Sequence, residues 1–317
     1  MPSSGRNSKI AIVGAGSVGA TLAYACLIRG VAHTVALYDV NAAKVEAEVL
    51  DLRHGLQFVP RAEVLGSDEI AVCADADVIA VTAGAKQRVG QSRLDLAGTN
   101  VDMCRELIPR LLEVAPEAVF VMVTNPVDVL TYAALRFSGL PPHRVLGTGT
   151  VLDSSRLRDL IARHAGVAVQ NVHALIAGEH GDSEFPLWSS AAIGSVPLRQ
   201  LSRHGQLVLR AEDERRIAHE VVTAAERIIA GKGATNYAIG LAGARVLEAV
   251  IKDECRVLPV TSLLERTDLP EVCLSLPAVV DRTGVQAVLE VPMSEHESEL
   301  LRRSAAAVRQ VADSLGL

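Results

Sequence analysis

Short apolar runs alternate with amphipathic segments along the first half of the chain. Apolar runs of about five residues are typical of strands buried on both faces of a parallel sheet. The pattern predicts such strands at 9–13, 34–38, 77–81, 118–124 and 144–147, and helices near 17–29, 41–56, 94–114 and 127–137. The alternation predicts an α/β fold with a parallel sheet covered by helices on both faces.

The pattern changes after about residue 150. Helices are expected at 206–230, 237–252 and 294–315, with strand-like runs at 256–260, 271–276 and 284–291. Because this mixture no longer alternates regularly, we expect one domain over residues 1–150 and a mixed α+β domain over residues 151–317.

Composition narrows the class of protein. The chain has 317 residues, 49% hydrophobic and 21% charged, as in soluble globular proteins. A net charge of −6 and an aromatic content of 3% do not support binding of nucleic acid or a membrane surface. The cysteines and histidines lack metal-ligand spacing, so no metal is expected. With no signal peptide or membrane-spanning run, the expected location is cytoplasmic.

A glycine-rich turn separates the first predicted strand from the first helix. Gly14, Gly16 and Gly19 form a G-x-G-x-x-G pattern, which permits close approach of a pyrophosphate to backbone N–H groups. Asp39 ends the second strand, where a carboxylate accepts hydrogen bonds from ribose hydroxyls and repels a 2′-phosphate. The motif favours NAD over NADP. A turn that serves only packing is the alternative.

A carboxylate, a guanidinium and an imidazole follow in the second half. Asp153 and Arg156 are three residues apart, so a helix would place them on one face. His180 follows a β-rich run at 172–177. A histidine held by an aspartate exchanges protons near neutral pH, and an arginine offers a planar fork to a carboxylate. These groups suit reduction of a keto acid. Taken alone, they fit a surface ion pair and a stray loop histidine equally well.

Two further segments follow predicted strand ends, where α/β enzymes place ligand contacts. The segment 84–93 is polar, carries three cations and precedes a long helix, as a mobile lid would. Arg93 at its end would be able to polarise a substrate carbonyl, and Asn125 follows the next strand. A solvent-facing arginine and a turn-forming asparagine before proline are the alternatives.

With these motifs together, the chain resembles the L-lactate/malate dehydrogenase family over about residues 9–315. The resemblance rests on residues 14–19 with Asp39, and on the segments 84–93, 125–128, 153–156 and 178–182. It implies a Rossmann, doubly wound NAD-binding domain followed by a substrate-binding, catalytic α+β domain.

The resemblance also implies a role for each candidate residue. His180 would donate and accept the proton, Asp153 would orient it, and Arg156 would pair with the substrate carboxylate. Arg93 would polarise the carbonyl, with Asn125 near the substrate oxygen and the nicotinamide. The residues assigned to the cofactor are Gly14, Gly16, Ser17, Val18, Gly19, Asp39, Thr82, Gly84 and Asn125. A non-catalytic NAD-binding sensor, a rival from another class, would not need the acid, the arginine and the histidine together.

One loop position separates the substrates within this family. Malate dehydrogenases carry an arginine three residues before the glycine that corresponds to Gly90, and this chain has Gln87 there. A second substrate carboxylate facing that amide would be buried without a partner, at a cost of about 3–5 kcal/mol. The resemblance therefore implies pyruvate and L-lactate, with Thr235 at the small end of the substrate. Malate dehydrogenase and a broader L-2-hydroxy acid dehydrogenase are the alternatives. Gln91 replaces a glutamate common in the family, which bears on lid closure rather than on the reaction.

Arg158 and His173 resemble positions of bacterial family members that fructose 1,6-bisphosphate activates. Arg158 is two positions past Arg156, about 200° around a helix, and therefore faces away from the substrate. In those relatives an arginine and a histidine from two facing subunits bind the phosphates. The resemblance implies a homotetramer with this bisphosphate as activator. A surface arginine and an unrelated strand histidine are the alternative.

Overall fold

The computed structural model describes residues 7–85 and 93–317 of the chain. Parallel strands form the first part of its main sheet: β1 (Lys9–Val13), β2 (Thr34–Tyr38), β3 (Glu63–Ser67), β4 (Val78–Val81), β5 (Val119–Met122) and β6 (Val145–Gly147). Their order is β3-β2-β1-β4-β5-β6. This order is that of a doubly wound α/β sheet and confirms the predicted fold class. It reverses between β1 and β4, where such sheets open a ligand crevice at the carboxyl ends of the strands.

Helices connect these strands, and further elements follow them. The connecting helices are α1 (Ser17–Arg29), α2 (Ala42–His54), α3 (Arg93–Val114) and α4 (Val127–Ser138). Next come α5 (Val151–Ala165) and two-residue strands: β7 (Val172–His173), β8 (Ile176–Ala177), β9 (Phe185–Pro186), β10 (Ala192–Ile193), β11 (Val196–Pro197), β12 (Ser202–Arg203) and β13 (Gln206–Leu207). The chain ends with α6 (Ala211–Lys232), α7 (Tyr237–Ile251), β14 (Arg256–Leu263), β15 (Cys273–Asp281), β16 (Gly284–Val288) and α8 (Glu295–Ser314).

Strands β3 and β9 to β13 were not expected, α6 begins later than expected, and the other helices and strands are present, some of them with shifted ends. Strand β3 was not predicted because Val64 is its one fully buried side chain, so this edge strand lacks a continuous apolar run. The helix expected from residue 206 begins at Ala211, because β13 pairs with β12 in a hairpin. Acidic side chains in the first turn of α6 favour a helix start there: Glu212, Asp213 and Glu214.

The C-terminal strands extend the same sheet. β14, β15 and β16 are antiparallel neighbours, and β14 joins the edge of β6 by pairing Thr261 with Gly147. Among the described residues the sheet has 9 strands. It therefore crosses the position near residue 150 where the sequence pattern changes, and both halves of the chain share one hydrogen-bonded sheet.

Apolar side chains fill both faces of this sheet. Helices α1, α2 and α7 contribute to the core on one face, and α3, α4 and α8 to the core on the other. Helix α7 packs directly on α1, since a Cβ at Gly240 would lie 2.6 Å from Thr21 Cγ2 and only glycine permits this approach. In the described part of the chain, no helix combines the length and the apolarity that a membrane span requires.

Candidate active site

His180 lies in the loop between β8 and β9. These strands pair Ile176 with Pro186 and Ala177 with Phe185. Gly178, at the base of the loop, exchanges two backbone hydrogen bonds with Ser275 of β15, each 2.9 Å long. The main sheet therefore fixes the backbone two residues before His180.

The imidazole of His180 pairs with a buried carboxylate. Asp153, in the first turn of α5, is 1% exposed, and its Oδ2 accepts a hydrogen bond from His180 Nδ1 at 2.6 Å. Burial lowers the pKa of His180, but the charge and hydrogen bond of Asp153, together with smaller effects of the Glu184 and Asp128 charges, raise it to about 9. His180 is thus protonated at neutral pH. With Nδ1 bonded to Asp153, Nε2 is the nitrogen that can exchange a proton with a ligand.

Arg156 shares the same carboxylate. Its Nη1 donates to Asp153 Oδ1 at 2.6 Å, across one turn of α5. The guanidinium is half-buried and planar, with further N–H donors suited to a carboxylate of a small acid. The structure therefore brings together the three groups that the sequence predicted as a cluster: His180, Asp153 and Arg156.

Asp128 is a site residue that the sequence analysis missed. Its Oδ2 accepts the backbone N–H of His180 at 2.7 Å, and its Oδ1 accepts the Thr261 hydroxyl at 2.6 Å. Burial raises the pKa of Asp128 to about 6. Its place in the segment 125–128 was a signal, but that segment was interpreted through Asn125. Asp128 connects α4 and β14 to the loop that bears His180.

Glu184 is a second missed residue. Ligand atoms of Asp153, His180 and Glu184 lie within 4.8 Å of one another. Burial raises the pKa of Glu184 to about 8, and the Asp153 carboxylate acts in the same direction. All three are residue types that bind metals, but Asp153 and His180 are already bonded to each other. The arrangement suits proton exchange.

The glycine turn at the crevice leaves room for a phosphate group. Gly14 has φ +102°, and a Cβ there would lie 2.7 Å from Ala83 N. A Cβ on Gly19 would overlap the carbonyl oxygen of Gly14, whereas one on Gly16 would meet no heavy atom of the described residues within 4 Å. Gly16 is the N-cap of α1, whose first turn has no acidic residue. A pyrophosphate fits this open, positively polarised helix start.

The remaining cofactor candidates surround that turn. Asp39 Oδ2 accepts the N–H of Ala15 at 2.7 Å, and its Oδ1 accepts the N–H of Asn41 at 3.0 Å, so the carboxylate stands beside the glycines. Thr82 Oγ1 donates to Gly14 O at 2.9 Å. Ser17 and Val18 form the first turn of α1. These residues fit a dinucleotide with its ribose at Asp39.

Asn100, also missed, connects the start of the predicted lid to Asn125. It is 1% exposed, its Oδ1 accepts the N–H of Ala85 at 2.8 Å, and its Nδ2 donates to Asn125 O at 2.9 Å. A Cβ on Gly84 would overlap Thr124 Cγ2, so this approach requires glycine. Asn125 itself is exposed at the end of β5.

The substrate-selecting residues are described only in part. Gln87, like Gly90 and Gln91, lies outside the described residues, and Arg93 is described as the first backbone position of α3. Thr235 is half-buried between α6 and α7.

Arg158 and His173 lie close together on the other side of α5 from the site. Arg158 Nε donates to the carbonyl oxygen of Ala174 at 2.8 Å, next to the exposed His173 of β7. Burial lowers the pKa of Arg158.

Two family models match nearly the whole chain. The model of the lactate/malate dehydrogenase NAD binding domain matches residues 8–147, and the model of the α/β C-terminal domain of the same enzymes matches residues 150–314. The chain belongs to the lactate/malate dehydrogenase family. Its first half is an NAD-binding domain.

Individual members of the family are similar over their full length. The chain is 51% identical to an L-lactate dehydrogenase of Bifidobacterium animalis subsp. lactis over 98% of this chain and 97% of the relative. It is 48% identical to an L-lactate dehydrogenase of a Synechococcus species over 97% and 99%. The crystal structure of a minor L-lactate dehydrogenase from Enterococcus mundtii, in a ligands-bound form, superimposes with a TM-score of 0.93 at 36% identity, covering 97% of this chain and 98% of that one.

Proposed function

We propose that this chain is an L-lactate dehydrogenase that converts pyruvate, NADH and a proton to L-lactate and NAD⁺, and the reverse. The observation that carries the proposal is the cluster of His180, Asp153 and Arg156, which supplies a proton donor and a carboxylate anchor side by side. The names of the full-length relatives support lactate over malate.

His180 handles the proton. Protonated at neutral pH, it donates from Nε2 to the carbonyl oxygen of pyruvate as the carbonyl is reduced, and the neutral form takes the proton back from lactate. Asp153 holds the ring by Nδ1 and stabilises its charge, while Arg156 binds the substrate carboxylate. Bound NADH supplies the hydride. Because the protonated form binds pyruvate, high pH favours lactate oxidation.

The other residues position the catalytic groups and select the substrate and the cofactor. Asp128 holds the backbone of His180, and Asn125 contacts the substrate oxygen and the nicotinamide. By the family resemblance, Arg93 polarises the carbonyl, Gln87 leaves no partner for a second carboxylate, and Thr235 bounds the small end. On the cofactor side, the glycine turn with Ser17 and Val18 binds the pyrophosphate, Asp39 binds the ribose, and Thr82 and Gly84 line the crevice.

Oxidation of NADH on pyruvate, oxaloacetate and 2-oxoisocaproate tests the activity and its substrate range. We expect pyruvate to be preferred, and Gln87→Arg to move the preference towards oxaloacetate by about two to three decades. His180→Asn should retain NADH binding and lose most turnover, whereas the exposed His296→Asn should keep it. Full turnover by His180→Asn would contradict the mechanism.

Regulation by fructose 1,6-bisphosphate and assembly into a homotetramer are further parts of the proposal. Arg158 and His173 form a basic pair away from the substrate, and paired copies would repel until a bisphosphate bridges them. Assembly is supported by exposed apolar side chains on the adjacent helices α1 and α7 and near α2: Tyr24, Ile28, Phe58, Tyr237 and Leu241.

Pyruvate saturation curves with and without millimolar bisphosphate at neutral pH test the regulation. The bisphosphate should lower the KM for pyruvate, and His173→Gln should remove the effect without removing basal turnover. Identical curves for the native chain would refute activation, and a monomer in sedimentation velocity would refute the tetramer.

A further inference from the structure

Glu184 is a titratable group at the site that the proposed reaction does not use. It immediately precedes β9, and the pairing of Phe185 with Ala177 holds its backbone beside the loop that bears His180. The side chain is half-buried, and its carboxylate lies within 4.8 Å of the ligand atoms of Asp153 and His180. The position of Glu184 is therefore fixed by the same hairpin as that of the catalytic histidine.

Charged groups face Glu184 from α5 and from the hairpin loop. Asp153 opposes the ionisation of Glu184, while His180 and Arg156 favour it. Asp128 of α4 acts on the same histidine. Burial and the charge of Asp153 outweigh the effects of His180 and Arg156 and raise the pKa of Glu184, because the site exposes little of the carboxyl group to water.

The charges of these described groups balance differently with and without substrate. Without substrate at alkaline pH, where Glu184 is ionised and His180 is neutral, the carboxylates of Asp128, Asp153 and Glu184 face one cation among these groups, the guanidinium of Arg156. A keto acid brings another carboxylate to Arg156 and so increases this excess of negative charge. Water screens such an excess poorly in a half-buried site. Protonation of His180 and of Glu184 reduces the excess negative charge by two.

We propose that Glu184 offsets the charge of the substrate carboxylate, so that binding of a keto acid at alkaline pH transfers a proton from solvent to the Glu184 carboxyl group. The inference rests on the proposed function. This proton is additional to that of His180, which the reaction consumes, and it returns to solvent when the product acid leaves. Glu184 therefore governs substrate affinity at alkaline pH.

Calorimetry can count the protons. Oxamate, an unreactive amide isostere of pyruvate, is titrated into the NADH-saturated enzyme at about pH 9.5, in buffers of different ionisation enthalpy. The native chain should take up well over one and up to about two protons per site, because His180 and Glu184 are both largely deprotonated beforehand. Glu184→Gln should take up at most about one, whatever the pKa of His180 in that variant. Glu184→Asp, which keeps a titratable carboxyl, should retain the additional proton.

Steady-state kinetics supply a second measurement. Above about pH 9, the slope of log KM for pyruvate against pH should exceed about 1 in the native chain and stay at or below about 1 in Glu184→Gln. Equal proton counts and equal slopes in the two proteins would overturn the role of Glu184. A native chain that does not reduce pyruvate would instead contradict the proposed function, so the two failures are distinguishable.

Discussion

Replacement of Asp153 by asparagine tests whether this carboxylate sets the proton affinity of His180. In the native chain the 2.6 Å bond and the charge of Asp153 raise the pKa of His180 to about 9 against the effect of burial. Asparagine keeps the shape and removes the charge. Burial, the largest single influence on this pKa, is then opposed only by the smaller effects of the Glu184 and Asp128 charges, and the pKa of His180 should fall below its ordinary value of 6.5.

The shift changes the fraction of enzyme that is able to bind and reduce pyruvate. With a pKa of about 9, about 97% of His180 is protonated at pH 7.5, and with a pKa below 6.5 less than about 10% is. The kcat/KM for pyruvate at this pH should therefore fall at least about 10-fold. Because lactate binds the neutral imidazole, the kcat/KM for lactate should fall less than that for pyruvate.

The assay is the pH profile of kcat/KM for pyruvate, followed by NADH oxidation. The descending limb should move from near pH 9 in the native chain to below about pH 6.5 in Asp153→Asn. Asp159→Asn is the matched control, because it removes an exposed carboxylate of the same helix that pairs with Arg163. A variant profile that still descends near pH 9 would refute the reasoning.

Three further changes test the cofactor site and the packing of the two halves. Gly16→Ala should weaken NADH binding at least about tenfold in a fluorescence titration and leave Tm unchanged, because its methyl group enters open space that the pyrophosphate needs; equal affinity would argue against this subsite. Asp39→Ser should raise kcat/KM with NADPH relative to NADH at least about tenfold, since it removes the charge that repels a 2′-phosphate. Glu248→Gln should lower the free energy of unfolding by about 1–3 kcal/mol, because Glu248 connects α7 to Arg29 of α1. Burial acts to raise the pKa of Glu248, but hydrogen bonds from neighbouring cations outweigh burial and lower this pKa from 4.5 to about 2. The contribution of Glu248 to the free energy of unfolding should therefore be lost as the pH falls from about 4.5 to about 2.

Most of the fold followed from the sequence because its main strands are buried on both faces. Continuous apolar runs identified β1, β2, β4 and β5 without any knowledge of their neighbours. The edge strand β3 was not predicted, because just one of its residues is fully buried and its sequence therefore has no continuous apolar run. The start of α6 was misplaced because pairing between β12 and β13 competes with helix formation locally.

The candidate site was predictable where the functional residues have a characteristic spacing along the sequence. Asp153 and Arg156 are one helical turn apart, and their contact followed from that spacing. Asp128, Glu184 and Asn100 have no such pattern. Their importance depends on burial and on partners far along the chain, such as Thr261 for Asp128, and this is information that only the folded chain contains.

The pairing of Gly147 with Thr261 has a consequence for synthesis on the ribosome. The edge of β6 is complete only after β14 has been made, about ten seconds later at ordinary elongation rates. Until then the nascent N-terminal half exposes an open sheet edge and the face of α1 that α7 later covers. We therefore expect newly made chains to bind chaperones during this interval, and a fragment that ends near residue 150 to aggregate rather than persist as an independent NAD-binding domain.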